Sequence, residues 1–202
     1  MTLRIARHPS PNFGARRDGL TPEFIVLHYT AMASATAAIH RLCDPQAEVS
    51  AHYVISRQGA VTQLVEDDMR AWHAGAGSWR GLDDLNSRSI GIELDNAGTH
   101  PFAEPQMQAL EELLVRVMAR WQIGPEGVIG HSDLAPGRKI DPGPHFDWAR
   151  LQWLGLAART PDRAAYTSGS LAEQEAAFAL RWAHSLRVMG SDPQHGSPAN
   201  RH

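Results

Sequence analysis

Between Gly130 and Pro144, fifteen residues contain three prolines and three glycines. Pro136 and Pro142 would each interrupt a helix, so the run cannot form one long element and must loop back on itself along a path its prolines hold fixed. Loops held in this way tend to carry function. This one presents His131, Asp133, Lys139 and Asp141. His131 and Asp141 are both good ligands for a borderline metal. Lys139 is the only lysine of the chain, against eighteen arginines, which marks it off from the surface cations and points to a need for a compact ammonium head at that position. On the loop alone a second reading stays open, in which Lys139 is simply solvated and His131 caps a turn.

The rest of the composition narrows the choices. A chain of 202 residues with 43% hydrophobic content fits one globular domain with a tail. Its formal charge of −3 supplies no basic field for a nucleic acid or an anionic membrane. Cys43 stands alone, which excludes an internal disulfide framework and a cysteine-based zinc site, so a transition metal would have to be held by histidine and carboxylate. No apolar run of secretory type follows the first arginines, and no stretch of about eighteen apolar residues could span a bilayer. The expectation is a cytoplasmic protein, with a periplasmic one as the alternative.

Periodicity organises what lies between. Residues 1–22 are polar and turn-rich and read as an irregular arm, 23–158 as the main domain, and 159–202 as a linker, a C-terminal helix and a flexible tail. Phe24 to Tyr29 is a short apolar run suited to a strand buried on both faces, and it places His28 at the mouth of a sheet. Ser34 can cap a helix over Ala35 to Leu42. Ser50–Ser56 and Ala60–Val65 form a hairpin around Gly59. Ala71 to Arg88, rich in Gly, Trp, Asp and Asn, is expected to be a long surface loop. In the strand from Ser89 to Asn96, Ile90, Ile92 and Leu94 share one face; Gly91, Glu93 and Asp95 share the other, with the glycine leaving room for a close approach. Pro105–Gln122 is an amphipathic helix ending near Gly124. Gly127–Gly130 is a short buried strand delivering His131. A last helix runs from Phe146 to Leu156 with Trp148, Leu151 and Leu154 inward. The fold expected is a single α/β domain with a mixed central sheet flanked by helices and a metal site at the strand ends.

Of eleven histidines, His28 and His131 follow strand ends, and Asp141 lies across the Pro/Gly loop, so these three can converge. Two imidazoles and one carboxylate leave a fourth position open on a tetrahedral Zn²⁺, the plan of a catalytic site. Such an ion activates water and polarises a carbonyl. Glu93 is the candidate carboxylate to accept the proton and pass it to a leaving nitrogen. Lys139 would meet the growing oxyanion. Together these describe an amide hydrolase.

Five motifs then appear in order: Val26-Leu27-His28-Tyr29-Thr30, Ser50-Ala51-His52-Tyr53, Ala71-Trp72-His73-Ala74-Gly75, Ser89-Ile90-Gly91-Ile92-Glu93, and Gly130-His131-Ser132-Asp133 through Asp141-Pro142-Gly143-Pro144. Over residues 9–155 the chain resembles the zinc-dependent N-acetylmuramoyl-L-alanine amidases, whose fold is shared with peptidoglycan recognition proteins. The resemblance implies cleavage of the amide between the lactyl group of N-acetylmuramic acid and the L-alanine of the stem peptide, in cell-wall turnover or recycling, with muropeptides as the partners bound. It matches His28, His131 and Asp141 to the zinc ligands, Glu93 to the catalytic carboxylate and Lys139 to the oxyanion lysine. Trp72, His73 and Asn86 match positions along the substrate groove. His52 reads as a packed, hydrogen-bonded strand histidine.

Two departures bear on the substrate. Recycling enzymes of the family usually have Asn after the first ligand and Arg just before the Ser-Ala-His strand; this chain has Tyr29 and Glu48. The His28–Tyr29 pair is more similar to the broader-specificity envelope branch, which places Tyr29 among the substrate-contacting candidates. The rival reading is a recognition module that keeps the groove and does no chemistry. The His-Glu-x-x-His signature of a helical zinc peptidase is absent.

Overall fold

Residues 3–160 and 162–190 are described by the computed structural model. Along the chain the elements are β1 (Ile5–Arg7), β2 (Phe13–Ala15), β3 (Phe24–Tyr29), α1 (Ala35–Leu42), β4 (Tyr53–Ile55), β5 (Val61–Gln63), β6 (Met69–Ala71), α2 (Leu85–Arg88), β7 (Ser89–Leu94), α3 (Glu104–Trp121), β8 (Val128–Gly130), α4 (His131–Leu134), α5 (Trp148–Trp153) and α6 (Leu171–Gly190).

The central sheet runs β1-β5-β4-β7-β3-β8. Only β4 and β5, the two arms of the expected hairpin, pair antiparallel, and Gly59 in their turn sits at φ 82°. β3 is held between β7 and β8, parallel to both. Being covered on both faces, it is apolar without alternation until His28, as its sequence requires. Parallel β3, β7 and β8 all end at the same edge, where ligands of open α/β sheets collect.

Alternation sends the two sets of side chains to different cores. Ile25, Leu27, Ile90, Ile92 and Leu94 pack with Met107, Leu110, Leu114 and Val117 of α3 and with Trp148 and Leu151 of α5. Phe24, Val26 and Ile129 pack on the opposite face with Ala74, Trp79, Leu85, Leu134 and, from the C-terminal segment, Tyr166, Phe178 and Trp182. His28 and Glu93 share the parity of the second set, so they project away from α3.

Four details differ from the sequence reading. The 71–88 stretch is not a surface loop: Ala74, Trp79, Leu85 and Ser87 are buried, because the loop is the layer that covers this second face. The arm of residues 1–22 contributes β1 to the sheet edge and β2 to a two-stranded ribbon with β6. α3 stops at Trp121 with Gln122, not Gly124, in the left-handed conformation. Leu154 lies just past the end of α5 and is exposed.

The C-terminal segment is tied to the loop that bears the candidate ligands. Asp133 accepts hydrogen bonds from the Gly130 amide at 2.8 Å and the Tyr166 hydroxyl at 2.7 Å, and it is ion-paired with the Arg181 guanidinium. Arg181 also donates to Val128 O at 2.9 Å and lies over the Trp148 ring. Both ionic partners are buried, so removing one leaves the other charged and desolvated. Arg181→Met is therefore expected to destabilise the fold by about 3–5 kcal/mol. Urea unfolding measures it, and a loss of under about 1 kcal/mol would show the pair to be dispensable. The tail expected from Gly190 to His202 lies, after Gly190, outside the described residues. Among the described residues no helix is long and apolar enough to cross a membrane.

Candidate metal and catalytic site

The register of β3 with β7 pairs His28 with Glu93, so the two side chains leave the sheet edge side by side. β8 ends at Gly130, and His131 opens the one-turn helix α4. The Pro/Gly loop then returns, and Ser132 N donates to Asp141 O at 2.9 Å, which closes it. The three candidate ligands, buried at 2%, 3% and 8% exposure, thus meet. His28 Nδ1 lies 2.9 Å from His131 Nδ1 and 2.9 Å from Asp141 Oδ2, and His131 Nδ1 lies 3.0 Å from that same oxygen.

The chemistry of the donor set fits a cation. His131 Nε2 is 2.9 Å from Ala74 O. A carbonyl only accepts, so a neutral His131 carries its proton on Nε2 and aims the Nδ1 lone pair at a carboxylate oxygen. Acceptors that close, out of water, repel unless positive charge lies among them. Burial, with His131 beside it, pushes His28 down to about 4 against the pull of Asp141, so His28 is a neutral imidazole at pH 7.

Glu93 is part-buried, and its Oε2 is cut off from solvent with no hydrogen-bond partner. Burial first, and then Asp141, raise its carboxyl to about 8; Lys139 works against both. A carboxyl so placed holds and gives up a proton near neutral pH, and a cation at the three ligands would lower its value again.

These groups open into a cavity of about 680 Å³. Tyr29, Trp72, His73, Glu93 and Lys139 line it together with His28, His131 and Asp141. Asn86 does not. Its side chain is turned inward at 9% exposure, and Oδ1 accepts the amides of His73 at 2.9 Å and Ala74 at 2.8 Å. His73 touches His28 at 3.0 Å as well as bordering the cavity. His52, just before β4, is buried, with Nδ1 accepting from Gly91 N at 2.9 Å and Nε2 donating to Met69 O at 3.1 Å, packed and hydrogen-bonded as expected though outside the strand itself. Burial, joined by the charge of Arg16, takes it down to about 3.

The sequence reading passed over Met32, Arg41, Arg138 and Ile140, which also line the cavity. Arg41 is one turn along α1 from Ala38, another lining residue, a spacing visible in the sequence once α1 is known to face the site. Arg138 donates to Ala74 O at 2.8 Å and to Ala76 O. Nothing local in the sequence announces that long-range contact.

The profile of the N-acetylmuramoyl-L-alanine amidase family matches residues 18–144. N-acetylmuramoyl-L-alanine amidase AmiD of Escherichia coli K12 is 41% identical over 150 residues, which cover 66% of this chain and 53% of AmiD, so the chain spans about half the length of that relative. The 1,6-anhydro-N-acetylmuramyl-L-alanine amidase AmpD of Haemophilus influenzae is 43% identical over 159 residues, covering 70% of this chain and 86% of AmpD. The solved complex of E. coli AmiD with the substrate anhydro-N-acetylmuramic acid-L-Ala-D-γ-Glu-L-Lys superposes with a TM-score of 0.69 at 32% identity, over 80% of this chain and 81% of that one.

Proposed function

This chain belongs to the N-acetylmuramoyl-L-alanine amidase family, and from that premise we propose that it hydrolyses the amide between N-acetylmuramic acid, or its 1,6-anhydro form, and L-alanine of peptidoglycan stem peptides, with zinc held by His28, His131 and Asp141. The observation behind the zinc is the meeting of two imidazole lone pairs and a carboxylate within 3.0 Å of one another. Zinc, when bound there, supplies Lewis-acid activation of water and of the scissile carbonyl.

The chain's own groups do the rest. Glu93 removes a proton from the attacking water and returns it to the leaving nitrogen, the task for which its otherwise unpartnered Oε2 is suited. Lys139, on the cavity wall, stabilises the oxyanion formed at the carbonyl. Tyr29 and Trp72 line the cavity, where they would border the stem peptide of a bound muropeptide. Lys139→Arg keeps the charge but spreads it over a plane, and kcat/KM is expected to fall at least about tenfold, about 1.4 kcal/mol. Full activity in that variant would make the position ordinary.

The test of the whole reading is mass spectrometry of products, with and without a zinc chelator, from 1,6-anhydromuramyl-tripeptide and from intact muropeptides. Chelator-sensitive release of free peptide is expected, the faster substrate defining the preference that Tyr29 and Glu48 leave open. Intact substrate after incubation with zinc-loaded protein would favour the non-catalytic recognition module. The cytoplasmic location and the domain limits at 23–158 belong to the same proposal. Fractionation of the native host tests the first, and limited proteolysis the second.

A further inference from the structure

We propose that one dipeptide, His73–Ala74, clamped by Asn86, fixes the ring orientation and tautomer of both ligand histidines, which makes His73 and Asn86 positioning residues for the metal; this rests on the zinc reading above. His28 and His131 are 103 residues apart in the chain and sit on different elements, yet their outer nitrogens meet neighbouring residues. His28 Nε2 is 3.0 Å from His73 Nδ1, and His131 Nε2 is 2.9 Å from Ala74 O.

The protons can be assigned from the network. Ser89 spends its hydroxyl proton on Leu85 O, so toward His73 Nε2, 3.3 Å away, its oxygen accepts. His73 therefore carries its proton on Nε2 and offers a lone pair at Nδ1. That lone pair takes the Nε2 proton of His28, which leaves His28 Nδ1 bare and aimed at His131 and Asp141. Ala74 O does the same for His131. Both inner nitrogens are thus metal ligands by default, because the outer ones have been assigned elsewhere.

Two features hold the dipeptide at this position. Asn86 Oδ1 accepts from both of its backbone amides, which uses both lone pairs of that oxygen. Gly91 of β7 gives the His73 ring its space: a Cβ there would lie 2.5 Å from His73 Cγ. The ring meets His28 edge to face, at 5.2 Å and 84°.

Zinc affinity, measured by competition with a chromophoric chelator, tests this directly. His73→Phe is expected to weaken zinc binding about 10- to 100-fold. His73→Asn, whose Oδ1 can stand where Nδ1 accepts, is expected to recover most of that loss. Gly91→Ala, which leaves the His73 chemistry intact but displaces the ring, should weaken binding in the same direction. Melting of the metal-free proteins separates positioning from bulk packing. A purely structural His73 lowers the metal-free Tm and leaves the affinity of the folded protein unchanged, and that result overturns the proposal, as does a His73→Asn variant no better than Phe. His28→Ala is the control for the underlying reading: if it binds zinc as wild type does, the metal site itself is wrong, whatever the His73 series shows.

Discussion

Glu93→Gln is expected to retain zinc and lose turnover, with kcat lower by about 10²- to 10⁴-fold, the range that a positioned proton carrier supplies. The expectation follows from where the register of the sheet puts the residue. Glu93 stands opposite His28 across parallel strands, so the proposed proton carrier and the first candidate ligand share one edge. Its Oε2 is shielded and unpartnered, which a structural carboxylate in a native protein seldom is. Glutamine keeps the shape and packing, donates where the carboxylate accepts, and transfers no proton. Steady-state kinetics on a muropeptide, alongside metal analysis of the same preparation, provide the measurement. A kcat within about threefold of wild type would assign the proton to another group.

Removing the metal should cost stability as well as activity. Native His28, His131 and Asp141 form a buried triangle of acceptors, whereas in the unfolded chain these groups are far apart and solvated. An ion that binds only the native state adds RT ln(1 + [L]/Kd), about 4.1 kcal/mol at a free concentration 1,000 times Kd. At about 2–4 °C per kcal/mol for a chain of this size, the chelated protein should melt about 8–16 °C lower, and added zinc should restore both Tm and turnover. Asp141→Ala should melt at the same temperature with and without zinc, since the anionic ligand is gone. Coincident melting curves for wild type with and without a chelator would contradict the zinc assignment.

Substitutions at these positions should divide the site into layers with separable signatures. Substitutions of Glu93 and Lys139 should alter rate at constant metal affinity; those of the three proposed ligands should alter affinity, rate and metal-dependent Tm together; those of His73 and Asn86 should alter affinity through other residues. Arg181 acts further out, on the stability of the loop that begins at His131.

Much of this was legible in the chain, because the signals were local. The unbroken apolar run before His28 could only be a strand covered on both faces, and period-two alternation put Glu93 opposite the Ile90-Ile92-Leu94 stripe. The prolines and glycines of 130–144 required a returning loop, which is why His131 and Asp141 could be paired across it. Composition restricted any metal to histidine and carboxylate. What could not be read were properties that depend on which distant surfaces meet. Polar, glycine-rich residues 71–88 have the composition of a surface loop, yet they cover a sheet face, and only there does Asn86 become an internal clamp. Gly91 was recognisable as a place of close approach, but that the approaching group is His73 depends on packing between segments with no shared sequence signal. The burial of Arg181 against Asp133 is likewise invisible in an amphipathic C-terminal helix. Sequence alone determined the types of candidate ligand and the strands and loop that carry them, since hydrophobic period and backbone chemistry act within a few residues; only the tertiary structure decided which nitrogen of each histidine faces the site, because that depends on hydrogen bonds closed between segments tens of residues apart.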